Sequence, residues 1–173
     1  MITIISSTNR KNSNSSKVAA IYLQKLKEKG VEAQVLNLEH LPHDFAYTQI
    51  EDVFSEEFDK VVQQYIISVE KFIFIIPEYN GGYPGILKTF IDSVHPKHFR
   101  GKKSALAGIS AGRAGALKGM DDFTGILHYL QVEVLSDKPK ISDIEKFIDE
   151  NGQLTSAEAH TRMEKQLEKF LRF

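Results

Sequence analysis

Between positions 72 and 76 the chain runs Phe72-Ile73-Phe74-Ile75-Ile76, an apolar stretch with no polar residue alternating through it. Successive side chains of a strand point to opposite faces of a sheet, so such a run needs cover on both sides. Antiparallel sheets with one wet face show alternation; uninterrupted runs suit the central strand of a parallel sheet lying between helical layers. The run empties directly into Pro77-Glu78-Tyr79-Asn80-Gly81-Gly82-Tyr83-Pro84-Gly85. In parallel sheets ligands bind where loops leave the C-terminal ends of strands, so this loop is the first place to look for function.

The rest of the chain fits the same plan. Further strands are expected at residues 2–6, 33–38 and 104–109, with a fifth near 132–135. Helical stripes lie between them: Ala19, Tyr22, Leu23 and Leu26, stopped by Gly30; Phe54, Phe58, Val61, Val62 and Tyr65; and Ile86, Leu87, Phe90, Ile91 and Val94 after Pro84. Asn151-Gly152 signals a turn, Thr155 with Glu158 predicts a capping box, and Met163, Leu167, Phe170 and Leu171 form the apolar stripe of a last helix. Alternating strands and helices predict an α/β, doubly wound three-layer sandwich on a five-stranded parallel sheet. A chain of 173 residues with 42% hydrophobic content is enough for one core, so residues 1–173 are read as a single domain.

Composition removes whole classes of function. The chain has no cysteine, which excludes disulfides, thiolate metal sites, cysteine nucleophiles and dithiol redox chemistry. Any redox activity must therefore come from a bound cofactor. A net charge of −1 gives no overall field toward nucleic acid or an anionic membrane. The first apolar run, Ile2-Thr3-Ile4-Ile5, is too short for a signal-peptide core or a membrane span, and a soluble cytoplasmic protein is expected.

Three strand ends define one pocket. After the first strand comes Ser6-Ser7-Thr8-Asn9-Arg10-Lys11-Asn12-Ser13-Asn14-Ser15-Ser16, nearly all short hydroxyls and amides leading into a helix. Such a loop offers many donors to an anion at a helix N-terminus, and Arg10 adds a guanidinium fork suited to phosphate. It lacks the Gly-x-Gly-x-x-Gly of a pyrophosphate site and the Gly-Lys-Ser/Thr of a triphosphate loop, and so suits a terminal monophosphate such as that of FMN. The glycines of the second loop allow close backbone approach to a flat ligand, with Tyr79 and Tyr83 offering aromatic faces beside it. The third loop, Ser110-Ala111-Gly112-Arg113-Ala114-Gly115-Ala116, is small-residue backbone with one guanidinium. His95 and His98 have a metal-compatible spacing, but Pro96 intervenes and no third ligand lies nearby, so they read as solvated residues and no metal site is expected. The acidic pairs Asp121-Asp122 and Glu56-Glu57 point in different directions on a helix and read as surface.

These motifs resemble those of the NADPH-dependent FMN reductase family, whose fold is flavodoxin-like, and the likeness extends over nearly the whole chain. The family's first loop, Gly-[Ser/Thr]-x-Arg-x-x-Ser-x-[Ser/Thr], is met by Ser7 through Ser15, with Ser7 in place of the first glycine. The resemblance implies that Thr8, Arg10, Ser13, Asn14 and Ser15 hold the FMN phosphate. It implies that Pro77, Glu78, Tyr79, Asn80 and Gly81 meet the flavin ring and ribityl chain, and that Ser110, Gly112, Arg113 and Gly115 form a third flavin loop. It further implies NADPH or NADH as electron donor, a small-molecule acceptor such as free flavin, quinone, azo compound or metal oxyanion, and a homodimer or homotetramer. Hydride transfer through flavin needs no protein acid or nucleophile, so no catalytic side chain is assigned. The rival expectations are a flavodoxin-like carrier fed by a partner protein, against which the near-zero net charge argues, and a flavin-free phosphate-sensing domain.

Overall fold

The computed structural model describes residues 1–50, 55–149 and 152–173, without the side chains of 48–50. Phe54 and Asn151 therefore lie outside the described residues. In chain order the elements are β1 (Ile2–Ser6), α1 (Asn14–Glu28), β2 (Ala33–Asn37), α2 (Phe45–Ile50), α3 (Glu56–Val62), β3 (Lys71–Pro77), α4 (Gly85–Ser93), β4 (Lys103–Ile109), α5 (Leu117–Tyr129), β5 (Glu133–Val134), β6 (Lys140–Ile141) and α6 (Ala157–Arg172). All pairings in the sheet are parallel, in the order β2-β1-β3-β4-β5 with β6 also on β4. That is the flavodoxin-like doubly wound order, with the strand order reversing at β1 and β3.

The apolar run of β3 does what its composition demands. Ile73 and Ile75 join Ile2, Ile4, Ala105 and Ala107 in a core shared with α1 and α6. Phe72, Phe74 and Ile76 face the other way, into a core with Phe58, Phe90, Leu106 and Phe123 from α3, α4, β4 and α5. Phe74 and Phe123 meet edge-on at 5.0 Å between ring centres, fixing α5 on the sheet.

The fifth sheet position differs from expectation. It is occupied by two fragments: β5 pairs with Lys103 and Ser104, and β6 pairs with Gly108 and Ile109 of β4. Between them the carbonyl of Leu106 has no strand partner. Gln166 of α6 fills the gap, its Nε2 donating to Leu106 O and Asp137 O at 2.8 Å each while its Oε1 accepts the Tyr22 hydroxyl at 2.7 Å. Gln166 is fully buried, and burial pushes the Tyr22 hydroxyl far above its ordinary value. A two-residue fragment has no period to detect, which is why only the first half of this position is legible in sequence.

Two smaller expectations also shift. The second strand ends at Asn37, whose side chain accepts from Glu39 N–H and turns the chain into a 3-10 turn at Leu38–His40. The last helix is capped by Ser156 rather than Thr155, the Ser156 hydroxyl accepting from Ala159 N–H at 3.2 Å. Thr155 is drawn off by its own N–H, which bonds Phe147 O. No described helix is long and apolar enough to cross a membrane.

Helices α1 and α6 are joined by Glu164, which receives Lys25 at 2.6 Å and Lys29 at 2.9 Å. Those hydrogen bonds hold its carboxyl below the usual carboxylate range. The contribution is complete above the ordinary carboxylate value and is lost as pH falls through the lowered one, so Glu164→Gln is expected to flatten the acid limb of the stability curve measured by urea unfolding. Gln166→Leu strands the Leu106 and Asp137 carbonyls and the Tyr22 hydroxyl, and is expected to cost about 3 kcal/mol, read as a lower urea midpoint at unchanged slope.

Candidate functional site

Three loops leave the C-terminal edge of the sheet side by side because the ladder continues past the strands. Ser7 N–H donates to Ile75 O at 3.2 Å, Glu78 N–H to Ile109 O at 3.0 Å and Ser110 N–H to Ile141 O at 3.1 Å. They bound an open cleft of about 450 Å³.

The first wall is the start of α1. Ser13 is the N-cap, its Oγ accepting from Ser16 N–H at 3.2 Å, and Asn12 turns the chain beforehand at φ 51°. The first turn carries no acidic side chain, so the positive end of the helix is not neutralised from within. Ser15 is 1% exposed, and its hydroxyl has no partner although it lines the cleft. Buried polar atoms ordinarily find one, and an orphan in a cleft wall marks a place for a ligand acceptor. Ser7 is fully buried and is absent from the positive-φ positions, so the backbone there makes no demand for glycine.

The second wall is the loop after β3. Tyr79 and Gly82 exchange both backbone hydrogen bonds, at 2.9 and 3.0 Å, across Asn80 and Gly81 at φ 51° and 76°. This is a type I′ turn, which requires two left-handed residues and favours Asn-Gly. The loop sits on α5 where Gly119 leaves room: a Cβ there would stand 2.8 Å from Tyr83 N. Tyr83 packs its ring on Phe123 at 5.5 Å, and burial raises its hydroxyl's pKa. It does not line the cleft. Tyr79 does, and links to the first loop: its hydroxyl lies 2.7 Å from Thr8 Oγ1, and the Arg10 guanidinium stacks over its ring at 4.0 Å.

The third wall is held from outside. The Ser110 hydroxyl donates to Gly112 O at 2.5 Å and accepts from Gly115 N–H at 2.9 Å. Ser142 Oγ donates to Arg113 O at 2.7 Å. Gly108 is required beneath the loop, since a Cβ there would come within 2.2 Å of Gly115 O. Ala116, left-handed at φ 58°, begins α5 with no side-chain cap of its own, and the Glu78 carboxylate accepts its N–H at 3.0 Å. The N-termini of α1 and α5 are among those that open at this edge of the sheet. The one at α5 is met by Glu78, and the one at α1 is left with an orphan hydroxyl.

Of the residues singled out in sequence, Arg10, Ser13, Asn14, Ser15, Pro77, Glu78, Tyr79, Asn80 and Ser110 line this cleft. Thr8 stands behind its wall, fully buried, with its hydroxyl spent on Tyr79 and on Arg10 N–H at 3.3 Å. Gly81 is at the exposed tip of its turn, Gly112 and Arg113 lie exposed on the third loop, and Gly115 is buried against Lys140. Ile144 and Glu145 line the cleft without having been foreseen. They follow β6, past Asp143 in the left-handed region at φ 49°. The polar pair Ser142-Asp143 after Ile141 was the available signal of a fourth strand end. Among the described residues no group of three or more His, Asp or Glu side chains is placed to hold a metal.

Comparison with known proteins bears on this cleft. The family profile described as NADPH-dependent FMN reductase matches residues 1–144, which include all four cleft-lining segments except Glu145. An NAD(P)H-dependent FMN reductase of Pseudomonas aeruginosa is 33% identical over 126 residues, covering 68% of this chain and 68% of that protein. A 2-hydroxy-1,4-benzoquinone reductase of a Burkholderia species is 26% identical over 146 residues, covering 75% and 79%. The solved structure of FerB, a flavoenzyme NAD(P)H:(acceptor) oxidoreductase from Paracoccus denitrificans, superposes with a TM-score of 0.81 at 23% identity, covering 99% of this chain and 94% of that one.

The Glu78–Ala116 bond is a local tie that can be tested apart from any ligand. Glu78→Ala is expected to destabilise the fold by about 1–2 kcal/mol and to speed hydrogen exchange at the Ala116 amide roughly tenfold. Glu78→Gln keeps an acceptor oxygen and is expected to retain most of the protection.

Proposed function

The chain belongs to the NADPH-dependent FMN reductase family, and from that premise we propose that it binds FMN in the cleft described above and oxidises NADPH or NADH to reduce a small acceptor. The observation that carries the reading is the unpartnered, buried Ser15 hydroxyl at the acid-free N-terminus of α1. That end of the cleft combines a hydroxyl without a partner with a helix first turn that has no acidic side chain, as suits a phosphate seat. The residues present therefore fit the group. Ser13, Asn14, Ser15 and Arg10 are the side chains offered to its phosphate. Pro77, Glu78 and Asn80, with Ser110 and Ala111 opposite, bound the part left for its ring system.

When bound, FMN supplies the two-electron chemistry between reduced nicotinamide and acceptor. The chain's own residues need only hold, orient and balance charge. The Tyr79–Gly82 bonds fix the type I′ turn at Asn80 and Gly81, so the backbone of this loop is set before a ligand arrives. Glu78 fastens the second loop to the third, which keeps the cleft's width constant. The cleft opens to solvent, so donor and acceptor can use one surface in turn, giving ping-pong kinetics.

The relatives' names support the acceptor class proposed: FMN for the Pseudomonas enzyme and a quinone for the Burkholderia one. Azo compounds and metal oxyanions belong to the same proposal, as do a cytoplasmic location and a homo-oligomeric state. The test is the absorption spectrum of the purified or FMN-reconstituted protein followed by anaerobic NADPH or NADH. Flavin bands that bleach within seconds are expected; bound flavin inert to both nicotinamides would favour the carrier, and no FMN binding at all would sink the reading. Arg10→Ala is expected to weaken FMN about tenfold and riboflavin little, because a guanidinium–phosphate contact is charge-assisted and riboflavin lacks the phosphate. The two affinities are measured by quenching of flavin fluorescence.

A further inference from the structure

Among the described residues, Tyr79 is the one aromatic side chain lining the cleft, and a ring in such a place is first taken for a stacking face. Its surroundings say otherwise. The Arg10 guanidinium already lies over the ring, 4.0 Å from its centre. The hydroxyl is anchored 2.7 Å from Thr8 Oγ1, and that same oxygen accepts the Arg10 backbone N–H at 3.3 Å. Thr8 is fully buried, so this anchor is rigid. The result is a closed loop of contacts, Thr8 to Tyr79 to Arg10 and back to Thr8, joining the first and second walls. Arg10 has no ion-pair partner among the described residues. Its charge is held in place by a ring and left available.

We propose that Tyr79 is a positioning residue for Arg10: its ring seats the guanidinium beside the phosphate end of the cleft, and through it the protein distinguishes a phosphorylated flavin from riboflavin. The proposal rests on the FMN reading and deepens it. A long, exposed arginine loses rotamer freedom when it binds a ligand; one already stacked on a fixed ring loses less. The benefit reaches only ligands that Arg10 touches, so it is specific to the phosphate. A stacking face would act on the flavin ring and serve both ligands equally.

The experiment measures FMN and riboflavin dissociation constants by fluorescence quenching for the wild-type chain, Tyr79→Phe, Tyr79→Leu, Arg10→Ala and the double variant Arg10→Ala/Tyr79→Leu. Tyr79→Leu is expected to weaken FMN about tenfold and riboflavin by less than about twofold. Tyr79→Phe keeps the seat and is expected to stay within about threefold of wild type for FMN. The double variant is expected to bind FMN no more weakly than Arg10→Ala alone, because the ring acts through the guanidinium. Parallel losses of FMN and riboflavin in Tyr79→Leu would overturn the proposal and make the ring a flavin contact, as would additive losses in the double variant. Wild-type protein that binds neither ligand overturns the FMN reading itself, and this proposal with it, an outcome distinct from altered ratios among variants.

Discussion

Everything in this molecule is arranged around the burial of β3 on both faces. With Phe72, Phe74 and Ile76 committed to one helical layer and Ile73 and Ile75 to the other, the strand has no lateral surface on which to carry chemistry. Its neighbours β1 and β4 are as enclosed as β3 itself. Polar groups can therefore gather only where the strands stop, and parallel pairing makes all the strands stop at the same edge. The cleft is a consequence of the sheet's geometry before it is a consequence of any particular side chain.

Local devices then decide what that edge can hold. The N-termini of α5 and α1 are treated differently: α5 receives a carboxylate from the neighbouring loop, and the first turn of α1 carries none. The asymmetry gives the cleft a direction, with the uncompensated helix end at Ser13 to Ser15 on one side and the loop after β3 on the other. Glycines at 108 and 119 are part of the same device. Each lets a loop lie flat on an element where a methyl group would meet backbone within 3 Å.

The periodic parts of this architecture were legible in sequence, and the reason is the same burial. An apolar run of five residues, or a stripe at helical spacing, records which neighbours a segment must have. The residues after β1 and β3 could likewise be placed in the cleft, because position after a buried strand is itself information. What could not be read was decided by tertiary partners. The split at the fifth position depends on Gln166, which in sequence is an ordinary polar residue of a helix rich in charge. The Thr8 hydroxyl, read in sequence as a phosphate contact, meets Tyr79, a residue 71 positions away that the sequence gives no reason to pair with it. Thr155 and Ser156 are equivalent as caps by composition, and a single backbone bond from Thr155 N–H to Phe147 O separates them. Ile144 and Glu145 reach the cleft only because β6 brings the chain back to β4.

The broken fifth strand also governs how this sheet meets its surroundings. A sheet edge with a long, unpaired ladder is an invitation to another strand, and many proteins defend such edges with charge or proline. Here the edge is two fragments of two residues each, with Ser136, Asp137, Lys138 and Pro139 turning the chain between them and a helix side chain filling the gap. An incoming strand would find no register longer than a single fragment before the ladder is interrupted. Extension of the sheet by a second copy is closed off on that side, so copies of this chain that associate there must meet through helices and loops.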